Sequence, residues 1–156
     1  KYPHAVHFGR MNIEKMVLST SKIRAGIESG EYNGWDDIRL GTIASIRRRG
    51  FNPKAIEKII VDSGLTTSDA KFSLEKMGSY NKEFIRDKAA RTEFLKKSPE
   101  NGAMEIELCL PTGETEKGFI EEKNLKKGDY LYLKKKGYCI VDSISKEKAV
   151  LWFTHP

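Results

Sequence analysis

The apolar residues of this chain change their spacing once, close to Pro99. Before that point, as across residues 73–96, they recur every three or four positions, the spacing that lines one face of an α-helix. After it they alternate with polar residues, as in MEIEL at 104–108, which is typical of a strand with one solvated face. We therefore expect an α+β fold, with an all-helical unit at 1–97 and a small antiparallel β-unit at 98–156.

Capping and turn residues divide each unit into segments. Ser21 is a candidate N-cap, Asp37 or Thr42 can cap the next helix, and Pro53 suits the first turn of another. Helices are expected at 22–29, 38–49, 53–63 and 73–96, after an extended strand or hairpin at 4–13. The first three helices are expected to end at Gly30, Gly50 and Gly64. Strands are expected at 104–108, 128–133, 137–141 and 149–153, with a turn at 111–114.

Positive charge is concentrated in the first unit. The chain has a net charge of +6, and every arginine lies at or before Arg91. Residues 1–98 contain 19 Lys and Arg against 12 Asp and Glu, whereas residues 99–156 contain 9 against 10. Because the planar guanidinium group makes paired hydrogen bonds with phosphates, this pattern indicates an anionic partner for the first unit. An ordinary basic surface explains the composition equally well.

The composition also argues against several classes of protein. No run of 18 apolar residues is present, so we expect no membrane span, and the first eleven residues lack the apolar stretch of a signal peptide. Cys109 and Cys139 lie in separate strand-like stretches and are expected to be reduced core residues of a cytoplasmic protein. The three histidines form no zinc-ligand spacing with them, so we expect no metal site.

The segment from Val17 to Ile23 (VLSTSKI) is the first candidate site. Small hydroxyl residues that lead into a helix offer backbone N–H groups and hydroxyls to phosphate oxygens. Lys22 follows them and can neutralise charge as it develops in a reaction. Loops of Ser and Thr that only cap a helix are commoner, so the pattern alone leaves both interpretations open.

Three consecutive arginines, at positions 47–49, are the second candidate site. On a helix they spread over about 200°, so they straddle a groove rather than bind one point. Arg10, Arg24 and Arg39 add positive charge to the same unit. The clustering favours a nucleic acid partner, although a solvated run of charge is the commoner explanation of such a triplet.

Two further groups have simpler explanations. Trp35 is expected to be a packing anchor and the two aspartates after it helix caps, although paired carboxylates also serve acid–base or metal chemistry. In the β-unit, three tyrosines could stack on nucleic acid bases, or be half-buried packing residues of the strands. They are Tyr130, Tyr132 and Tyr138.

Taken in order, these segments resemble a known family. Residues 7–51 read HFGRMNIEKMVLSTSKIRAGIESGEYNGWDDIRLGTIASIRRRGF. They are similar to the glutamyl/glutaminyl branch of class I aminoacyl-tRNA synthetases, which has a KMSKS-type loop, a Trp-Asp-Asp-Pro-Arg-Leu motif and an arginine-rich helix ending in Arg-Gly. Thr67–Ala70 and Ser79–Asn81 also fit the archaeal glutamyl-tRNA synthetases. Two positions depart from the family pattern, because Thr20 stands where a second lysine is common and Ile38 replaces the proline.

The resemblance implies a reaction and a set of site residues. The family activates glutamate with ATP, in the presence of Mg²⁺, and transfers it to a tRNA. By resemblance, the loop that would border the ATP phosphates is Leu18, Ser19, Thr20, Ser21 and Lys22, with Lys22 as the catalytic charge. The residues expected to contact tRNA are Arg24, Arg39, Arg47, Arg48 and Arg49. The tRNA would be the glutamate-accepting one, with the glutamine-accepting one as a further candidate, and the enzyme a monomer.

The resemblance also implies an arrangement of domains. Residues 1–97 would be the stem-contact region, which in this family joins a catalytic Rossmann domain to the anticodon-binding domain. The sequence from Pro99 to His155 resembles the last stretch of the anticodon-binding β-barrel, with a Leu-Pro-Thr-Gly-Glu turn and a closing Phe-Thr-His. The family has further strands between these two matches, so we expect a segment to be missing near Arg91 and Thr92. Without the Rossmann half, the chain alone is expected to be inactive.

Two other hypotheses remain at this stage. One is a non-catalytic tRNA- or RNA-binding module of the same ancestry. The other is a small soluble domain with an incidental basic face. Dependence on ATP distinguishes a ligase from the RNA-binding module. Binding of tRNA at physiological salt distinguishes both of these from a small domain with an incidental basic face.

Overall fold

Two hydrophobic clusters organise the computed structural model, which describes residues 3–64, 66–99, 102–122, 124–146 and 148–156. The described residues form four helices and eight strands. In chain order these are β1 (Met11–Ile13), α1 (Thr20–Glu28), α2 (Ile43–Arg48), α3 (Pro53–Ser63), β2 (Ala70–Phe72), α4 (Leu74–Ile85), β3 (Ala90–Thr92), β4 (Met104–Cys109), β5 (Thr115–Ile120), β6 (Tyr130–Leu133), β7 (Gly137–Ile144) and β8 (Lys148–His155). The α+β class is confirmed.

The first unit is not all-helical, because it contains a two-stranded parallel sheet. β1 pairs with β2, with Met11 opposite Ala70 and Ile13 opposite Phe72. The backbone N–H of Arg10 also donates to Asp69 Oδ1 at 2.9 Å. The extended stretch at the start of the chain therefore finds its partner after α3 rather than in a local hairpin.

Local capping signals set the bounds of the first three helices. α1 begins after Ser19 rather than Ser21, and α2 begins after Thr42, whose hydroxyl accepts a hydrogen bond from Ser45 N at 3.0 Å. Residues 38–42 are not helical, so α2 is shorter than expected. α3 has the expected bounds, with Pro53 in its first turn. The three glycines after these helices have positive φ, at Gly30, Gly50 and Gly64.

The prediction of one long helix at 73–96 is wrong. α4 ends at Ile85, and after a short turn the chain enters β3, in which Arg91 lies opposite Tyr132 of β6. Leu95 then forms a further bridge with Phe119 of β5. Tertiary pairing with strands that lie far along the chain therefore overrides the helical spacing of the apolar residues. The bounds of the two units and the missing segment near Arg91 remain predictions.

The second unit forms, together with β3 from residues 1–97, a curled sheet of mixed direction, and not an antiparallel one. Its strand order is β3-β6-β7-β8-β4-β5, and both the β3–β6 and the β4–β8 pairs are parallel. The four expected strands are present as β4, β6, β7 and β8. β5, which the sequence did not indicate, forms a hairpin with β4 and occupies one edge of that strand. β8, which follows β6 and β7 in the chain, pairs with the other edge of β4 and runs parallel to it.

Each unit has its own core. The first is small and includes Phe51, Phe72 and Met77 from α4 and its neighbours. The second lies inside the curl of the six-stranded sheet and includes Ile106, Leu131 and Leu151, all fully buried.

The two units meet along a seam between α2 and α4 on one side and β7 and β8 on the other. Gly78 of α4 lies against His155 of β8, and an added Cβ there would be 2.7 Å from the histidine Cβ. On the helical side of the seam, Asn81 of α4 is fully buried and its side-chain oxygen accepts a hydrogen bond from Asn52 N, the cap of α3, at 2.8 Å. Gly50, which follows α2, lies against Ile140 of β7. The seam therefore needs small residues where backbones approach closely.

Candidate functional site

The loop at 18–22 leads into the N-terminus of α1. Ser19 is the N-cap residue, and its side chain makes no capping hydrogen bond. Its hydroxyl lies 3.1 Å from that of Ser21, and both residues are exposed. Thr20 and Lys22 are exposed as well, so three hydroxyl residues and one lysine lie at the cap and in the first turn of the helix.

Backbone donors at this helix end are available to an anion. The first hydrogen bond of α1 runs from Ile23 N to Ser19 O at 2.9 Å. Within the described parts of the chain, no acceptor is found for the N–H groups of Thr20, Ser21 and Lys22. The first turn also lacks an acidic residue. Because the helix dipole places partial positive charge there, this end can bind a phosphate.

Contacts with the segment 40–41 fix the position of the loop. Val17 forms a parallel bridge with Leu40, and Gly41 N donates to Val17 O at 3.0 Å. Leu18 packs against Gly41, because a Cβ added at Gly41 would lie 2.7 Å from Leu18 Cδ2. The WDDIRL motif therefore holds the start of the loop, while the hydroxyl residues remain exposed.

Asp37 has a structural role. It is buried and accepts hydrogen bonds from Arg39 Nε at 2.9 Å, Arg39 Nη2 at 2.8 Å and Asn33 N at 3.1 Å. Burial alone would raise the pKa of this carboxyl group, but the donors of Arg39 outweigh it and lower the pKa to about 2. A carboxylate that stays ionised and fully bonded is unsuited to acid–base chemistry near neutral pH. Arg39 also lies over the Tyr32 ring, 4.9 Å from its centroid.

Arg48 joins the two units. Its guanidinium group donates to both carboxylate oxygens of Asp142 in β7, at 3.1 Å each, and to Asp36 Oδ2 at 2.8 Å. It also lies 3.9 Å from the centroid of the Trp152 ring in β8. A half-buried arginine with these partners is a structural link across the seam.

Arg49 is fully buried. Its Nε donates to Phe153 O at 3.2 Å and its Nη2 to Thr154 O at 2.9 Å. The Thr154 hydroxyl in turn donates to Arg49 O at 2.6 Å. Burial lowers the pKa of Arg49 to about 10, so the group stays charged near neutral pH. This packing does not support the predicted tRNA contact of Arg49, because the side chain has no exposed surface.

Arg24 and Arg47 are the two candidate tRNA-contact residues that are exposed. Among the described residues, neither has an ion-pair partner or a side-chain hydrogen bond. Helix geometry explains why Arg47 is exposed and Arg49 is buried, since Arg47 and Arg48 end α2 and Arg49 follows them as its C-cap. Successive helical residues are about 100° apart, so Arg47 points outward when Arg49 points into the seam.

The remaining candidates have different surroundings. Trp35 is 44% exposed, and its carbonyl accepts a hydrogen bond from Thr42 Oγ1. Tyr138 is buried against the rings of His155 and Tyr132, both centroids 4.9 Å away. Of the three tyrosines, Tyr138 is therefore a packing residue, whereas Tyr130 and Tyr132 are half-buried.

Several residues of this region gave no signal in the sequence. Asp142 and Thr154 look like ordinary strand residues, and their arginine partners lie 94 and 105 positions away. Lys127, on the turn before β6, is one of many lysines. It lines a groove that also includes Arg47. Only the folded chain brings these residues together.

Two negative findings apply to the part of the chain that the structure describes. It contains no cluster of three or more His, Cys, Asp and Glu side chains that could hold a metal ion. It also contains no helix with the length and apolar character needed to cross a membrane.

Comparison with known proteins identifies the family. Residues 1–87 match the family model described as tRNA synthetases class I (E and Q), catalytic domain. The chain belongs to this family. The matched range includes the loop at 18–22, α2 with its arginines, and α4.

Archaeal glutamate–tRNA ligases are among the similar proteins. The chain is 51% identical to that of Methanospirillum hungatei over 89 residues, which cover 57% of this chain and 16% of the relative. It is 50% identical to that of Methanococcus maripaludis strain C5 over 97 residues, or 62% of this chain and 17% of the relative. The enzyme of Pyrococcus horikoshii is 48% identical over 95 residues, or 61% and 17%. The matched stretch of the chain therefore spans about a sixth of the length of these relatives.

Proposed function

We propose that the protein is part of a glutamate–tRNA ligase, which activates glutamate with ATP and transfers it to tRNA. The observation that carries this proposal is the open N-terminus of α1. Three hydroxyl residues and Lys22 lie at its cap and in its first turn, where the N–H groups of Thr20, Ser21 and Lys22 have no acceptor among the described residues, and all are within the range that matches the synthetase family. Such a helix end suits the phosphates of ATP.

In this proposal each residue of the loop has a defined task. The N–H groups of Thr20 and Ser21 and the hydroxyls of Ser19 and Ser21 would bind phosphate oxygens. Lys22 would neutralise charge as pyrophosphate leaves. Leu18 packs on Gly41 and fixes the loop. Mg²⁺ that accompanies ATP would be bound through the phosphate oxygens.

The tRNA would contact the exposed arginines Arg24 and Arg47. Arg39 and Arg48, half-buried and bound to carboxylates, would act mainly by holding the surface in shape. We also place the reaction in the cytoplasm, which suits the two free thiols Cys109 and Cys139, and assign the intact enzyme as a monomer.

The loop can be tested in the intact enzyme by ATP–pyrophosphate exchange with glutamate. Lys22→Ala and Ser21→Ala should each lower the exchange rate, by roughly 10²-fold for the lysine, because charge on the leaving phosphates loses a donor. Affinity for tRNA should not change. Lys54→Ala, at an exposed lysine in α3, is the matched control. Exchange at the wild-type rate in Lys22→Ala would contradict the proposal.

The same measurements separate the non-catalytic alternative. An RNA-binding module would bind tRNA while its intact form shows no exchange at all. For the 156-residue chain alone, we expect no exchange. Measurable exchange by this chain would show that it carries the whole catalytic site.

A further inference from the structure

The groove that contains Arg47 lies along the seam, with a wall from each unit. It has a volume of about 790 Å³ and is open to solvent. Ala44, Arg47 and Arg48 of α2 form one wall. The other wall consists of the turn before β6, with Lys127, and of β7 with Asp142.

The two exposed cations of the groove have no carboxylate bound to them among the described residues. Arg47 and Lys127 are exposed, and neither takes part in an ion pair among the residues that the structure describes. Lys127 lies in a turn closed by hydrogen bonds from Lys126 N to Asp129 Oδ2 at 2.7 Å and from Gly128 N to Val141 O at 2.8 Å. The turn therefore presents Lys127 from a fixed backbone.

The acidic groups of the groove are already neutralised in part. Both Asp36 and Asp142 bind the guanidinium group of Arg48. The five charged side chains that line the groove comprise three cations and two carboxylates, a net charge of +1. This suits a phosphodiester unit with its single negative charge better than a free triphosphate. An open groove also suits a continuous chain better than an enclosed small molecule.

We propose that this groove holds the phosphodiester backbone of bound RNA, with Arg47 contacting it from the helical unit and Lys127 from the β-unit. The inference rests on the proposed tRNA partner and deepens it, because it assigns one stretch of backbone to both units at once. Arg48 sits beneath the RNA and keeps the two walls at a fixed separation. Contacts of this kind position RNA without reading its sequence.

Binding of a glutamate tRNA transcript to the 156-residue chain, titrated at several salt concentrations, tests the groove. The slope of log affinity against log salt is negative, and each of Arg47→Ala and Lys127→Ala should reduce its magnitude by about 1, and the double variant by about 2. Lys54→Ala, which does not line the groove, should leave the slope unchanged. Both groove positions are exposed, so unfolding midpoints should stay at the wild-type value.

A second pair of variants changes the charge of the groove without removing either cation. Ala44 is exposed on its wall, so Ala44→Glu places a negative charge beside the RNA, and Ala44→Gln has nearly the same size without the charge. Affinity should fall in the first and stay close to wild type in the second.

The outcomes separate this inference from the ligase proposal. If the chain binds tRNA and the slope is unchanged in both Arg47→Ala and Lys127→Ala, the groove assignment is overturned while the ligase proposal stands. A wild-type chain that fails to bind tRNA at low salt also overturns it. The ligase proposal fails separately, through unchanged exchange in Lys22→Ala of the intact enzyme.

Discussion

Replacing Gly78 with alanine probes the seam at its closest approach. Gly78 lies in the middle of α4, and an added Cβ would be 2.7 Å from both Cβ and Cγ of His155 and 2.8 Å from its Nδ1. The histidine Cβ is attached directly to the backbone of β8, so a change of rotamer cannot move it away. Alanine therefore forces α4 and β8 apart.

The two contributions to the free energy of unfolding have opposite signs. Alanine is favoured over glycine in a helix interior by about 1 kcal/mol. Overpacking of a tight contact costs about 1–3 kcal/mol, and a contact of 2.7 Å with a Cβ that is fixed to the backbone belongs at the upper end. The net expectation is a loss of about 2 kcal/mol, which lowers the melting temperature by roughly 4–8 °C.

Denaturant unfolding followed by tryptophan fluorescence measures this loss, because Trp152 lies in β8 beside the seam. Ser79→Ala, at the next and exposed position of α4, is the control and should change stability by less than about 0.5 kcal/mol. A Gly78→Ala variant as stable as wild type, or more stable, would refute the reasoning. That result would mean that helix propensity alone governs this position and that α4 does not pack on β8.

Three other predictions concern titratable groups. Burial lowers the pKa of His155 below its usual 6.5, so the unfolded chain takes up the proton first, and stability should decline as the pH falls below about 6.5. His155→Phe should flatten this decline, which is measured by unfolding midpoints from pH 7.5 to 5, roughly the range of histidine titration. Arg39→Ala should lower the free energy of unfolding by about 1–2 kcal/mol at neutral pH, because it removes the donors that lower the pKa of Asp37 to about 2. In urea unfolding, the difference in stability from wild type should vanish as the pH falls from about 4 towards 2. Burial raises the pKa of both thiols, but Cys109 is partly exposed and Cys139 is not. Iodoacetamide should therefore label Cys109 slowly in the folded chain and Cys139 only after unfolding, as measured by peptide mass spectrometry. Equal labelling of both in the folded chain would contradict the burial of Cys139.

Elements defined by local signals could be predicted from the sequence. The bounds of α3 follow from Pro53 and Gly64, and Thr42 marks the start of α2. The alternation of apolar residues was sufficient for four of the strands in the second unit. In each case the residues that determine the structure lie within a few positions of one another.

Elements defined by distant partners could not be predicted. α4 ends early because Ala90 and Thr92 pair with β6, about 40 positions further along the chain. The same cause separates the three consecutive arginines. In the sequence they are equivalent, but Arg49 meets the carbonyl of Thr154, which lies 105 residues away, and only Arg47 remains exposed. Strand direction was missed for a related reason, since the parallel pairing of β4 and β8 depends on the path between them.

The location of β8 bears on the order in which the chain folds during synthesis. β8 follows all the other strands, yet it lies between β7 and β4 in the sheet. The β4–β5 and β6–β7 hairpins can each form as soon as they leave the ribosome, but they have no common neighbour until β8 arrives. Arg49 likewise waits for the carbonyls of Phe153 and Thr154. We therefore expect the two hairpins and the helical unit to be joined only once β8 is in place.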